Sequence, residues 1–274
     1  MAPIKKWIIT GDTHGDVKAR VKNIMYQVCN AALKPEELGI IILGDAGLNF
    51  WLDSGDKRRK YQVNNLGPQI YCLRGNHEER PEKIKGMKRF YDKETKGFVY
   101  GEEKYPKIHY LVDGCAYLFG EHTALALGGA YSVDKYWRLE NRPETWFKDE
   151  QLTQEEMDNI YKIVKHCSFD FILSHTCPYS FRPTDLFLSF VKQDTVDTSM
   201  EQWLEQVKDN IEWGVWCFGH YHADRIERPC VEQFYTSWED IDDIWIRWQS
   251  WKQGTCKELP SWLDRGPNWN WEEE

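Results

Sequence analysis

Five times along this chain a short apolar run ends in a small residue, with histidine, aspartate or asparagine following at once. Trp7-Ile8-Ile9 leads to Gly11-Asp12-Thr13-His14-Gly15, and Ile40-Ile41-Ile42-Leu43 leads to Gly44-Asp45. Ile70-Tyr71-Cys72-Leu73 leads to Arg74-Gly75-Asn76-His77. Phe169 to Leu173 runs into Ser174-His175, and Val215 to Phe218 runs into Gly219-His220-Tyr221-His222. Continuous apolar runs of this length are strands buried on both faces, and parallel strands need helices between them. Helical spacing follows the first run, at Val17, Val21, Ile24, Met25 and Val28. A second helix is announced by Thr153 with Glu156 three residues on, a capping box, and by Leu152 against Met157 as a hydrophobic staple. The pattern is that of an α/β protein.

In an open α/β sheet, ligands gather beyond the carboxyl ends of the strands. Asp12, His14, Asp45, Asn76, His77, His175, His220 and His222 all fall there, five of the chain's 8 histidines among them. Each has an ordinary structural explanation alone: aspartate and asparagine form turns, and histidine finishes strands. Their joint occurrence at every strand end does not. Imidazoles and carboxylates without thiolates suit divalent Mn, Fe or Zn, and two residues spaced i, i+2 in one turn can serve one ion.

Composition narrows the rest. With 41% hydrophobic and 29% charged residues the chain is neither disordered, collagenous nor coiled coil. A net charge of −9 argues against binding nucleic acid by neutralising phosphates, so nucleic acid enters only as a substrate. No apolar run approaches the ~20 residues a bilayer needs, and the start of the chain lacks a signal-peptide core, so no membrane segment and a cytoplasmic location are expected. The 8 cysteines include no Cys-x-x-Cys pair and read as reduced core residues. Seven of the 14 tryptophans lie from Trp238 onward. Ile241, Ile244, Trp245, Trp248 and Trp251 suit one helix face, with acids at its start and Gly254 past its end. This segment is expected to pack on the core, with an oligomer contact as the alternative.

Taken in order, the five motifs resemble those of the calcineurin-like metallophosphoesterase superfamily, over residues 7 to about 222. The resemblance implies one domain, 1–237, with a Trp-rich extension at 238–274 packed on it. The fold it implies is a central β-sandwich flanked by helices on both faces, four layers in all, with two divalent metal ions at one edge. Asp12, His14 and His222 then resemble the ligands of one metal, Asn76, His175 and His220 those of the other, and Asp45 bridges them. Manganese is the expected metal, with iron, zinc or nickel as alternatives. A metal-bridging hydroxide would attack phosphorus, and His77 would protonate the leaving oxygen as general acid. Arg74, two residues before Asn76, would hold the phosphate bidentately.

The motifs are partly similar to the protein Ser/Thr phosphatase branch, yet Asp45 is followed by Ala46-Gly47-Leu48-Asn49-Phe50-Trp51 where that branch has Asp-Arg-Gly. The usual phosphate-binding arginine and the aspartate that orients the catalytic histidine are therefore missing from that place. Asp53 is near but does not align. A strand over Thr123 to Leu127 would deliver the loop from Gly128 to Arg138 to the same rim, making Tyr131, Lys135 and Arg138 candidate substrate contacts. The leading expectation is phosphomonoester hydrolysis, on a small phosphorylated substrate or a phosphoprotein. Cleavage of a phosphodiester, a nucleic acid or a dinucleotide pyrophosphate on the same centre is the first alternative. An inactive interaction scaffold is the second, opposed by the presence of all seven ligand positions.

Overall fold

The apolar runs become strands of two stacked sheets in the computed structural model, which describes residues 3–228 and 230–255. The first sheet is built on β1 (Lys6–Thr10), β2 (Leu38–Ile42) and β3 (Gln69–Cys72). It continues through β4 (Met87–Asp92), β5 (Gly97–Glu102) and β6 (Ile108–Leu111). The second contains β7 (Ala116–Phe119), β8 (His122–Leu127), β9 (Ser168–Ser174) and β10 (Glu212–Phe218). β11 (Arg225–Arg228) and β12 (Val231–Gln233) complete it, and β13 (Trp238–Asp240) returns to the first sheet. Strand orders are β13-β1-β2-β3-β6-β5-β4 and β11-β12-β10-β9-β8-β7. Both sheets are parallel at the centre and antiparallel at the margins, with β1-β2-β3-β6 and β8-β9-β10-β12 the parallel blocks.

The alternation of side chains explains the unbroken apolar runs. Ile9, Ile41, Leu43, Tyr71 and Leu73 point between the sheets, where they meet Phe119, Phe171, Leu173 and Val215. Ile8, Ile40, Ile42 and Ile70 point outward and are covered by Val17, Val21 and Ile24 of α1 (Val17–Val28) and Val63 of α2 (Ser54–Asn64). On the other side Leu125, Ile172, Trp216 and Phe218 are covered by α4 (Gln154–Val164) and α5 (Ser199–Asn210). The order helix, sheet, sheet, helix is the four-layer α/β architecture expected. Full burial on both faces is what forces isoleucine and leucine at consecutive positions.

α4 starts as read: Thr153 Oγ1 accepts from the Glu156 N–H and the Glu156 carboxylate accepts from the Thr153 N–H. The expected 128–138 loop is partly helical, since α3 spans Lys135–Asn141. Of the 238–274 segment, β13 pairs with β1, and α6 (Ile241–Lys252) sets Ile241 and Ile244 into the core between the sheets. α6 ends at Gly254 in the left-handed region (φ 71°), with Gly254 N–H to Trp251 O and Thr255 N–H to Ser250 O, a Schellman closure. Trp251 is exposed rather than packed inward, stacked on Trp248. Residues 256–274, with Trp262, Trp269 and Trp271, lie outside the described residues. Among the described residues no helix is long and apolar enough to cross a membrane, and Cys72 and Cys217 are buried as expected whereas Cys167 is exposed rather than in the core.

Candidate metal centre

β1, β2 and β3 lie side by side and parallel, as do β9 and β10 in the facing sheet, so five polar loops open at one edge of the sandwich. The loops are stitched across the two sheets. His175 Nδ1 donates to the Leu43 carbonyl (2.8 Å), and the His220 N–H donates to both Asp12 carboxylate oxygens (3.1 and 3.2 Å). Glycine beside the polar residues is a matter of space: a Cβ on Gly75 would lie 1.9 Å from Asp45 Oδ1, and one on Gly44 2.1 Å from His175 Nδ1. His14, Asp45, His220 and His222 all take positive φ (43°, 45°, 66° and 54°), a conformation rare outside glycine. Backbone strain concentrated on four of eight candidate residues marks a site whose side chains are aimed at the expense of local comfort.

The side chains converge. His14 Nε2 and His222 Nε2 are 2.8 Å apart, and they stand 3.8 and 3.4 Å from Asp12 Oδ2. His175 Nε2 lies 2.8 Å from Asn76 Oδ1 and 3.6 Å from Asp45 Oδ2, while the His220 ring packs edge-on to His175 at 5.0 Å. Asp45 sits between the two groups. Its Oδ1 accepts from the His77 N–H (2.8 Å), leaving Oδ2 turned to the centre. Donor atoms of Asp12, His14 and His222 lie within 4.8 Å of one another, as do those of Asp12, Asp45 and His175, and of His14, Asp45 and His77. Oxygen and imidazole donors packed so closely, without thiolate, fit divalent transition metals. The two halves differ in access: Asn76 and His175 are buried, whereas His14 and His222 are open to solvent.

Charge explains the titration of the cluster. Burial opposes ionisation of Asp45, but His77 and His175 beside it hold its carboxyl well below the usual range. His175 is pushed down by burial and up, with the larger combined effect, by Asp45 and Asp12, reaching about 9. Burial and the neighbouring His175 drive His220 well below the ordinary imidazole value. Burial also raises the Glu78 carboxyl to about 8; Glu78 accepts the Gly47 N–H (2.8 Å) and so braces the loop that carries Asp45.

The sequence profile of the calcineurin-like phosphoesterase family matches residues 6–224, which include every strand end described above. The chain belongs to the calcineurin-like phosphoesterase family. No curated protein matches it. As a calcineurin-like phosphoesterase it holds Asp12, His14, Asp45, Asn76, His175, His220 and His222 in one cluster, with His77 beside them.

Three sequence expectations are corrected by the geometry. Arg74 does not face the site. Its guanidinium is buried, with Nε on Asp113 Oδ2 (2.9 Å), one terminal nitrogen on Glu150 O (2.7 Å) and the other on Gly128 O (3.0 Å), leaving little to offer a phosphate. Arg138 is buried too, and donates to Asp134 (2.7 Å), the Thr145 carbonyl (2.8 Å) and His77 Nδ1 (2.6 Å). It meets the histidine rather than standing free for substrate. Lys135 lays its ammonium over the rings of Trp146 and Tyr131, and of these candidates only Tyr131 lines the cleft.

Other residues were missed. Ser132 accepts from Asn76 Nδ2 (2.8 Å) and donates to Glu150 (2.6 Å), so Asn76 is turned with Oδ1 toward His175. Ser174 Oγ accepts from Trp216 Nε1 (2.7 Å) and donates to Thr176 O (2.5 Å), which stiffens the strand end under His175. The 179–198 segment walls the cleft. Its only sequence signal was unusual apolar density, Leu186-Phe187-Leu188 with Phe190 and Val191, in a stretch without helical or strand period.

Proposed function

We propose that this chain hydrolyses phosphomonoesters at a dinuclear metal centre. The observation that supports it is the position of Asp45, whose Oδ2 faces His175 (3.6 Å) and His77 (3.9 Å) between two groups of ligand-type side chains. Asp12, His14 and His222 would hold one ion and Asn76, His175 and His220 the other, with manganese the first candidate. Two such ions, when bound, lower the pKa of a shared water and neutralise phosphoryl oxygens.

The chain's own residues supply the rest. One terminal nitrogen of Arg138 lies 2.6 Å from His77 Nδ1 and 3.3 Å from Nε2, so the guanidinium packs against the imidazole and fixes its place beside Asp45. Burial lowers the His77 pKa; Asp45 opposes it, and Arg138 and His14 act in the same sense as burial, so the net shift is downward. The ring is placed to give a proton to the leaving oxygen as general acid. The Arg138 guanidinium against the ring takes the place an orienting aspartate would have held.

Metal-loaded protein incubated with p-nitrophenyl phosphate, its bis-ester, and single-stranded DNA and RNA tests the reading. Monoester turnover alone is expected; cleavage of bis-ester or nucleic acid without monoester turnover would overturn it in favour of a diesterase. Asp45→Asn is expected to lose metal and rate together, and His77→Ala to lose rate with metal retained.

A further inference from the structure

Beside the candidate metal centre opens a cleft of about 390 Å3 that runs from Asp45, Asn76 and His77 to the 179–198 segment. Its far end changes character. Leu186, Phe187, Leu188 and Val191 form an apolar wall there. Arg182 lies over the Tyr179 ring at 3.5 Å, with Phe187 at 5.7 Å, and Phe187 stacks on Tyr221 at 6.3 Å and 23°. Among the described residues no carboxylate lies within ion-pair distance of Arg182, whose Nε reaches only the Tyr179 carbonyl (3.2 Å). Glu201, 5% exposed, lines the same cleft. Its Oε1 accepts from Thr176 Oγ1 (2.7 Å), while Oε2 has no hydrogen-bond partner.

Three features of this wall constrain an occupant. The volume lies within the roughly 300–1,000 Å3 of small-molecule sites, so the ligand is small. A planar guanidinium backed by one ring and flanked by another is a stacking surface for a flat π-system. A buried carboxylate oxygen without a donor calls for an N–H. Sugar hydroxyls would find leucine and phenylalanine, and an alkyl chain would leave Arg182 and Glu201 without use. We propose that this end of the cleft binds a nucleobase and that the substrate is a nucleoside monophosphate, its phosphate at the metal centre. The inference rests on the phosphomonoesterase reading. In the reaction the bond from phosphorus to the nucleoside oxygen breaks, water adds its oxygen to phosphorus, and its proton ends on the leaving oxygen, giving nucleoside and inorganic phosphate.

The test has two arms. In the first, kcat/KM of Mn²⁺-loaded protein is compared for GMP, AMP, ribose 5-phosphate and a phosphotyrosine peptide. A preference for the nucleotides over ribose 5-phosphate of about tenfold or more is expected from base stacking. Arg182→Ala and, separately, Phe187→Ala are expected to shrink it. In the second, saturation-transfer NMR on metal-free protein reads guanosine and adenosine against ribose, with base-proton signals expected for wild type and lost in Arg182→Ala. Equal kcat/KM with and without the base, a preference for the phosphotyrosine peptide, or absence of nucleoside signals would overturn the proposal. If p-nitrophenyl phosphate is also inert, the phosphomonoesterase reading fails, and the NMR arm still decides the base subsite.

Discussion

Ser132→Ala removes one oxygen and reaches the metal centre without touching a ligand's own chemistry. That oxygen accepts from Asn76 Nδ2 at 2.8 Å and donates to Glu150 Oε2 at 2.6 Å, all three side chains being buried. Without it the Asn76 amide loses the contact that fixes which end faces His175. Losing a hydrogen bond of this supporting kind lowers metal affinity about 10- to 100-fold, or about 1.4 to 2.8 kcal/mol. A separate cost falls on folding, because Glu150 Oε2 loses its donor; a stranded buried group costs about 1–3 kcal/mol. Burial already raises the Glu150 pKa, so the carboxyl can take up a proton and the lower end applies. Calorimetric Mn²⁺ titration measures the first effect and urea unfolding of metal-free protein the second. Ser132→Thr, which keeps the hydroxyl, should restore most of the metal affinity. Mn²⁺ affinity within twofold of wild type in a stably folded Ser132→Ala protein would refute the claim that this contact aims Asn76.

Other perturbations separate bracing from chemistry. Arg74→Met strands Asp113 and two carbonyls, and should cost about 3 kcal/mol or more in urea unfolding while KM for a phosphomonoester stays near wild type; a large KM rise with intact stability would return Arg74 to the phosphate. Gly75→Ala drives a methyl into Asp45 and is expected to lose metal in a titration, whereas retained affinity would mean that Asp45 does not need that close approach. Glu156 is pushed up by burial but pulled lower by Arg80 (2.6 Å) and Thr153, to about 2 when folded. A depressed folded pKa stabilises above the unfolded value near 4.5, and this contribution is lost as pH falls from there towards 2. Unfolding free energies measured between pH 5 and 2.5 should therefore fall less steeply for Glu156→Gln than for wild type; identical slopes would remove the pair from the acid sensitivity.

Local rules carried much of the reading. The Thr153–Glu156 capping box, the Gly254 closure of α6 and the two-faced burial of Ile40 to Leu43 follow from contacts within a few residues or from strand period alone. The candidate metal ligands were legible for a related reason. A strand buried on both faces has polar side chains only where it ends, so the polar residue after each apolar run marks the sheet edge.

Partners set by distance in space were not legible. Arg74 and Arg138 are both arginines near motif residues, and sequence ranked the first as the phosphate contact; Arg74 instead locks into Asp113 and the carbonyls of Gly128 and Glu150, and Arg138 reaches His77 from 61 residues away. Which acceptor a guanidinium finds depends on how the loops after β3 and β8 pack, and no local pattern encodes that. The same holds for Ser132 behind Asn76 and for the apolar wall around Arg182. The sequence by itself determined that five buried strands end in polar loops, the residue types at those ends and hence the metal-binding chemistry, because those follow from burial along each strand. Only the tertiary structure decided which side chains orient that chemistry and what lines the cleft beside it, because those contacts join segments that meet only when the two sheets have stacked.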